Sequence, residues 1–204
     1  MELMKRDISA TQGIIIKFIL STLVSAFLIV DAGGLSAAMI KGVYFQDALT
    51  VDKQVLEMRG AGVLRWFFFK VYVATLYLPP DVPSQNVLDD VPKKMVFHYL
   101  SDMNAEQFGE SGEHLLLRNV STEEFRSVKP KLNEINKMYR DVKKGERYSL
   151  TYVPGKGTEL ALNGEVLGLI EGYDFAAIYY RIWLGDNPVD NNLKRMLLTN
   201  KGQP

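Results

Sequence analysis

Apolar and polar residues alternate from Met39 to Phe45 and again from Val51 to Met58, the period of half-buried strands, the first of them an edge strand. Gly60-Ala61-Gly62 interrupts the second stretch and predicts a turn. Phe67 to Leu78 is then an almost unbroken run of aromatic and β-branched residues, predicted as a strand covered by helices, with alternate residues of the run Trp66 to Phe69 read as core rather than as a patch for a partner. Pro79-Pro80 and Pro83 end it, because proline cannot donate to a ladder. From Lys94 to Leu100 the alternation returns, with Met95, Phe97 and Tyr99 on one face.

The period then changes. Asn104 suits the cap of a helix running to about Arg118, and Ser121-x-x-Glu124 is a capping box for the next. Phe125, Val128, Leu132, Ile135, Tyr139 and Val142 recur every three or four residues and draw one apolar stripe, closed by Lys143, Lys144 and Gly145; Pro130 is predicted to kink or divide this helix. Strand signals resume at Tyr148, Leu150 and Tyr152, turn through Pro154-Gly155-Lys156-Gly157 into Thr158 to Leu162, and turn again at Asn163-Gly164, a type I′ hairpin signal, into Glu165 to Ile170. Two helices follow, Tyr173 to Leu184 ended by Gly185, and Asn191 to Leu198. Strands, two helices, strands, two helices predict an α+β fold, an antiparallel sheet with helices packed on one face.

The first 38 residues have another character. Lys5, Arg6 and Lys17 precede the apolar Phe18 to Val30, and small Ser36-Ala37-Ala38 follows, the pattern of a secretory signal peptide cleaved before Met39. Counted back to Ile14 the apolar run lengthens, so a membrane tether through residues 14–30 is the alternative. The expected organisation is therefore a leader or anchor over 1–38 and one domain over 39–204, placed in the periplasm or otherwise outside the cytoplasm. With 204 residues, 47% hydrophobic, the chain suits a single core. Its 24 basic and 24 acidic residues balance, and removing the leader leaves the remainder neutral, so nothing recommends a nucleic acid partner. Zero cysteines exclude disulfides and thiolate chemistry.

Few residues carry candidate chemistry. Gly155-Lys156-Gly157-Thr158 lacks the earlier glycine and the following helix of a phosphate loop, and Gly60-Ala61-Gly62 lacks the third glycine of a dinucleotide fingerprint. His98 and His114, the only histidines, have no partner at ligand spacing, so neither a metal nor a cofactor is expected. Asn119-Val120-Ser121 has the form of a glycosylation acceptor but is better read as Ser121 capping a helix. Arg65 stands out, since a guanidinium in an aromatic run costs several kcal/mol to bury unless an anion meets it. Two readings stay open: Arg65 lies at a strand end with its head in water and its stem on Trp66, or it points into a cleft and binds an anion with a tyrosine hydroxyl, Tyr72, as second donor.

The Gly-Ala-Gly segment, the arginine beside it, the run from Lys70 to Tyr77-Leu78, the strand-turn-strand of Tyr148 to Asn163, and Ile182-Trp183-Leu184-Gly185 with Pro188-Val189-Asp190 and Leu193-Lys194 together resemble the chalcone isomerase-like family, bacterial exported branch, over roughly residues 43–198. The resemblance implies an open-faced sandwich with a cleft between sheet and helices. In the plant isomerases that cleft supplies an arginine, two threonines, a tyrosine and an asparagine. Here the arginine falls on Arg65 and the asparagine on Asn119, but Tyr72 takes the place of the first threonine, Gly112 or a neighbour that of the tyrosine, and Ile182 or a neighbour that of the second threonine. Losing such hydroxyls removes donors each worth roughly 10² to 10³ in rate. The implied function is thus noncatalytic binding of a fatty acid or similar apolar anion, with Arg65, Tyr72 and Asn119 as ligand-binding residues and Leu116, Val128, Leu132 and Tyr179 along the tail. The alternative is an isomerase of the intramolecular lyase type acting on an enone, with Arg65 and Asn119 catalytic. A third is an interaction protein whose cleft is filled by its own side chains.

Overall fold

The computed structural model describes residues 37–199; the leader or anchor expected before Ala37, including the apolar run of residues 14–30, lies outside the described residues. Two strands, β1 (Ala37–Ile40) and β2 (Val43–Gln46), form a small antiparallel sheet of their own. The chain predicted as one edge strand therefore folds back on itself at Lys41-Gly42, both at positive φ. Ala37 and Ala38 belong to β1 and pair with Gln46 and Phe45.

The main sheet is a seven-stranded antiparallel meander in strict chain order: β3 (Ala48–Val51), β4 (Gln54–Trp66), β5 (Phe69–Leu78), β6 (Lys93–Tyr99), β7 (Arg147–Val153), β8 (Gly157–Leu162) and β9 (Glu165–Glu171). Helices α1 (Ala105–Leu117) and α2 (Thr122–Met138) are inserted between β6 and β7. After β9 come α3 (Tyr173–Tyr179), α4 (Arg181–Leu184) and α5 (Asn191–Leu198). The helices share one core with Tyr72, Ala74, Leu76 and Leu78 of β5 and Met95, Phe97 and Tyr99 of β6. The opposite face packs Leu56, Met58, Val63, Val73 and Tyr77 against Val43 and Phe45 of the small sheet. The α+β class, antiparallel sheet under helices, is the observed one, with part of the second face covered as well.

Local chemistry explains most boundaries. Asn104 and Ser121 each accept from the backbone amide three residues on, and Gln107 and Glu124 return the bond, so both capping boxes form. Asn163 and Gly164 hold φ values of 51° and 86°, as a type I′ turn requires. Pro130 lies inside α2 without dividing it, and α2 ends at Met138, several residues before Val142. Val142 instead pairs with Met103 as an isolated bridge. The predicted helix Tyr173 to Leu184 breaks at Tyr180 into α3 and α4.

The largest departure concerns Gly60-Ala61-Gly62, which is no turn. β4 continues through it, with a register shift between Met58 and Gly60, and α5 packs on the strand at that point. A Cβ on Gly60 would collide with the carbonyl oxygens of Met196 and Leu197, and one on Gly62 would reach Met196 Cε at 2.7 Å and Leu193 Cδ1 at 2.9 Å. The glycines record a helix lying against backbone. The real turn comes later, at Phe67-Phe68, with Trp66 paired to Phe69, so the aromatic run forms an exposed hairpin tip and not the core. Gly60→Ala is expected to destabilise the fold by about 2 kcal/mol or more, since the clash is with main chain that cannot rotate away; the shift in denaturant midpoint at constant slope measures it.

Candidate functional site

Strand alternation decides which side chains face the helices. On β5, Tyr72 turns toward them and Val73 away, and across the ladder Tyr72 pairs with Tyr99 at the end of β6. Their rings meet edge to face, centroids 5.5 Å apart, with Phe97 at 5.3 Å from Tyr72 and Phe108 of α1 at 5.8 Å from Tyr99. Trp183 of α4 closes the group from above, tilted on Phe97 at 4.9 Å, and its indole Nε1 donates to the Tyr72 hydroxyl at 3.0 Å. Beside them the hydroxyls of Tyr139 and Tyr179 lie 2.7 Å apart, and Tyr139 stacks on Phe108 at 4.6 Å. Tyr148 completes the cluster, donating to the carbonyl of Arg140 and accepting from its amide, both at 2.8 Å.

Among the described residues no acceptor takes the Tyr72 proton, and the Tyr99 hydroxyl makes no hydrogen bond. Burial pushes the phenols of Tyr72, Tyr99, Tyr139 and Tyr179 well above their ordinary values. They are therefore permanent proton donors at any physiological pH. Two donors with no internal acceptor, on adjacent strands and surrounded by aromatic rings, suit a carbonyl or carboxyl oxygen.

The expected site residues do not all converge. Tyr72 is buried in this cluster. Arg65 is not: Leu64 faces the helices, so Arg65, the next residue on β4, faces the other way, exposed and paired across the hairpin with Lys70. The buried arginine expected from the sequence is thus corrected to the first of the two readings, a strand-end side chain in water. Asn119 spends its amide on structure, its Nδ2 donating to the carbonyls of Leu115 at 2.9 Å and Asn187 at 2.7 Å, and its Oδ1 accepting from the Asn187 amide at 2.9 Å. Gly112 and Ile182 do meet, since a Cβ on Gly112 would lie 4.0 Å from Ile182 Cδ1. Leu116, Val128, Leu132 and Tyr179 are all buried in the same core cluster as Tyr72. Tyr99 and Trp183 were missed as site residues, although the alternation of Met95, Phe97 and Tyr99 already put Tyr99 on the inner face.

The two histidines stand apart from this cluster, one half-buried and one exposed. His98 accepts from Arg147 Nε at 3.3 Å, and burial, with the Arg147 charge, lowers its pKa. His114 sits in the last turn of α1. Among the described residues no group of three or more His, Asp or Glu is placed to hold a metal.

The model of the chalcone isomerase-like family matches residues 37–199. The chain belongs to that family. No curated protein matches the sequence. Among solved structures, a fatty-acid binding protein from Arabidopsis thaliana is similar, with a TM-score of 0.62 and 13% identity over 80% of this chain and 96% of that one. At that identity the likeness is one of fold.

This family member also buries a cation at the opposite end of the sheet. Lys93, fully buried at the start of β6, donates to the Asp89 carbonyl at 2.7 Å and lies over the rings of Tyr152 at 4.8 Å and Tyr180 at 5.6 Å. Desolvation lowers its pKa to about 8, against the raising influence of Asp90 and Asp89. A lysine that binds its proton more weakly in the folded than in the unfolded state makes the protein more stable as pH rises. The penalty is full below about pH 8 and is released between there and the ordinary lysine pKa, an effect of about 3 kcal/mol. Stability of wild type minus that of Lys93→Met, measured from pH 7 to 10, is expected to rise across this window, and a flat difference would refute the assignment.

Proposed function

We propose that the domain is a noncatalytic member of its family that binds a fatty acid or similar apolar acid between sheet and helices, with the head group held by phenol protons. The observation that carries this reading is the cross-strand pair Tyr72 and Tyr99 on β5 and β6, two protonated phenols whose own protons have no acceptor among the described residues, with Trp183 donating to the Tyr72 oxygen. The fatty-acid binding protein that shares the fold supports the choice of ligand class. Leu116, Val128, Leu132 and Tyr179 supply an apolar setting for the tail. Arg65 and Lys70, one register step beyond the Leu64–Tyr72 pair, add positive charge at that end of the sheet. The lyase alternative is disfavoured because the Asn119 amide is fully spent and Arg65 faces away from the cluster. Export through the segment before Ala37 is part of the proposal and rests on the sequence pattern. A mature start at Met39 would remove Ala37 and Ala38 from β1.

The test is a titration with laurate, preceded by native mass spectrometry of protein taken from its own cells, which reads both co-purifying acids and the mature amino terminus. Tyr99→Phe, which breaks no internal hydrogen bond, is expected to weaken laurate binding about tenfold with little change in stability. Arg65→Ala is expected to have the smaller effect. The reverse order would move the head group out of the phenol cluster, and no binding by wild type would end the reading.

A further inference from the structure

The β4–β5 hairpin ends in four consecutive aromatic residues whose exposures are 66% for Trp66, 82% for Phe67, 95% for Phe68 and 74% for Phe69. Rings of that size are the groups a fold ordinarily buries first. The tip is also built against local preference. Phe67 holds a φ of 51°, the left-handed region where a two-residue hairpin turn ordinarily places glycine or asparagine. Directly behind the rings, Arg65 and Lys70 are cross-strand neighbours, a like-charge pairing that weakens a hairpin, and among the described residues neither has an ion-pair partner. From Arg59 to Pro80 the chain carries no acidic residue at all.

Apolar surface at the very tip, and cations set one residue behind on both strands, define the partner. A protein partner for four rings on a convex turn would need a deep, complementary pocket. A bilayer needs none: the rings enter the interfacial zone, where Trp and Phe are favoured, and the cations stop at the phosphates. We propose that the β4–β5 hairpin is a membrane-docking tip that inserts Trp66 to Phe69 into the interface of an anionic lipid surface, with Arg65 and Lys70 on the lipid phosphates. This does not rest on the fatty-acid reading.

Trp66 reports on the proposal directly, because Trp183, the only other tryptophan, is buried in the core. Full-length chain is mixed with vesicles of phosphatidylcholine alone, or of phosphatidylcholine with phosphatidylglycerol, with and without brominated acyl chains. The expected result is a blue shift and bromine quenching of emission on the anionic vesicles, both absent in Trp66→Phe, so that membrane attachment by another part of the chain does not produce the signal. Replacing Phe67 and Phe68 together by Ser is expected to weaken the Trp66 response at least about tenfold. Reversing charge at Arg65 and Lys70 to Glu is expected to abolish the preference for phosphatidylglycerol. Trp66 emission that stays unshifted and unquenched on anionic vesicles would overturn the proposal. So would a lipid-free, concentration-dependent burial of Trp66, which would assign the tip to a second copy of this chain.

Discussion

The approach of α5 to β4 over two missing side chains is the constraint on which the rest depends. Because Gly60 and Gly62 present only backbone, α5 lies against the strand itself, and Leu193 and Leu197 reach the core. The seating of α5 fixes what precedes it. Asp190 caps the helix through the Leu193 amide at 2.7 Å, and Lys194 donates to the Gly185 carbonyl at 2.9 Å. The Val189 amide donates back to Ile182 at 2.7 Å, inside α4. Asn119 clamps the same loop from the end of α1 through Asn187. α4 therefore has little freedom, and Trp183, which it carries, lands on the Tyr72 hydroxyl. A chain of backbone and capping bonds thus runs from two glycines to the donor that orients the central phenol.

That arrangement favours one kind of chemistry over another. A buried guanidinium would need a permanent counter-ion, and its desolvation would weigh on the empty protein. Phenols avoid the charge. Each stays protonated because burial raises its pKa, and each offers a proton to an oxygen without needing a partner in the absence of ligand as strictly as an ion would. The chain does bury one cation, Lys93, but at the far end of β6, where the Asp89 carbonyl and two aromatic rings satisfy it. It packs at the end of the central strands β6 and β7 where Tyr152 of β7 reaches Asp90 at 2.5 Å.

The fold was largely legible in the sequence because its signals are local. The capping boxes at Asn104 and Ser121, the Asn163-Gly164 turn and the alternation of Met95, Phe97 and Tyr99 each depend on neighbours within a few residues, and each stands as read. What failed depended on distant partners. Gly60-Ala61-Gly62 looks like a turn unless one knows that α5, more than a hundred residues on, lies across it. Pro130 does not divide α2, whose continuous stripe of Val128, Leu132 and Ile135 is buried against the core on both sides of it. The site followed the same rule. Misplacing the turn by several residues made Trp66 to Phe69 look buried and carried Arg65 into the cleft with them. Alternation from Leu64 settles its side, yet nothing local reveals which face the helices cover. Tyr99 could have been found, since its face was read correctly; only its pairing with Tyr72 needed the sheet.

The two proposals are separate in their tests but adjacent in space. Tyr72 lies three residues from Phe69 in the same strand, and Tyr99 is its cross-strand partner, so the phenol pair stands at the end of the sheet that bears the aromatic tip. Between Tyr72 and the tip are only the Arg65–Lys70 position of the ladder and the extra residue Val71 that shifts its register. A strained Phe67, a like-charge pair and four exposed rings are each unfavourable to a protein that needs only to be soluble, with costs of about 1 kcal/mol for the backbone and a few tenths for the charges. Their coincidence at one turn, next to the uncommitted hydroxyls, is the kind of local inconsistency that selection for stability removes and selection for function retains. Arg65 has its place in that logic as an exposed cation beside the aromatic tip, where water or phosphate can meet its charge while the core cluster behind it remains uncharged.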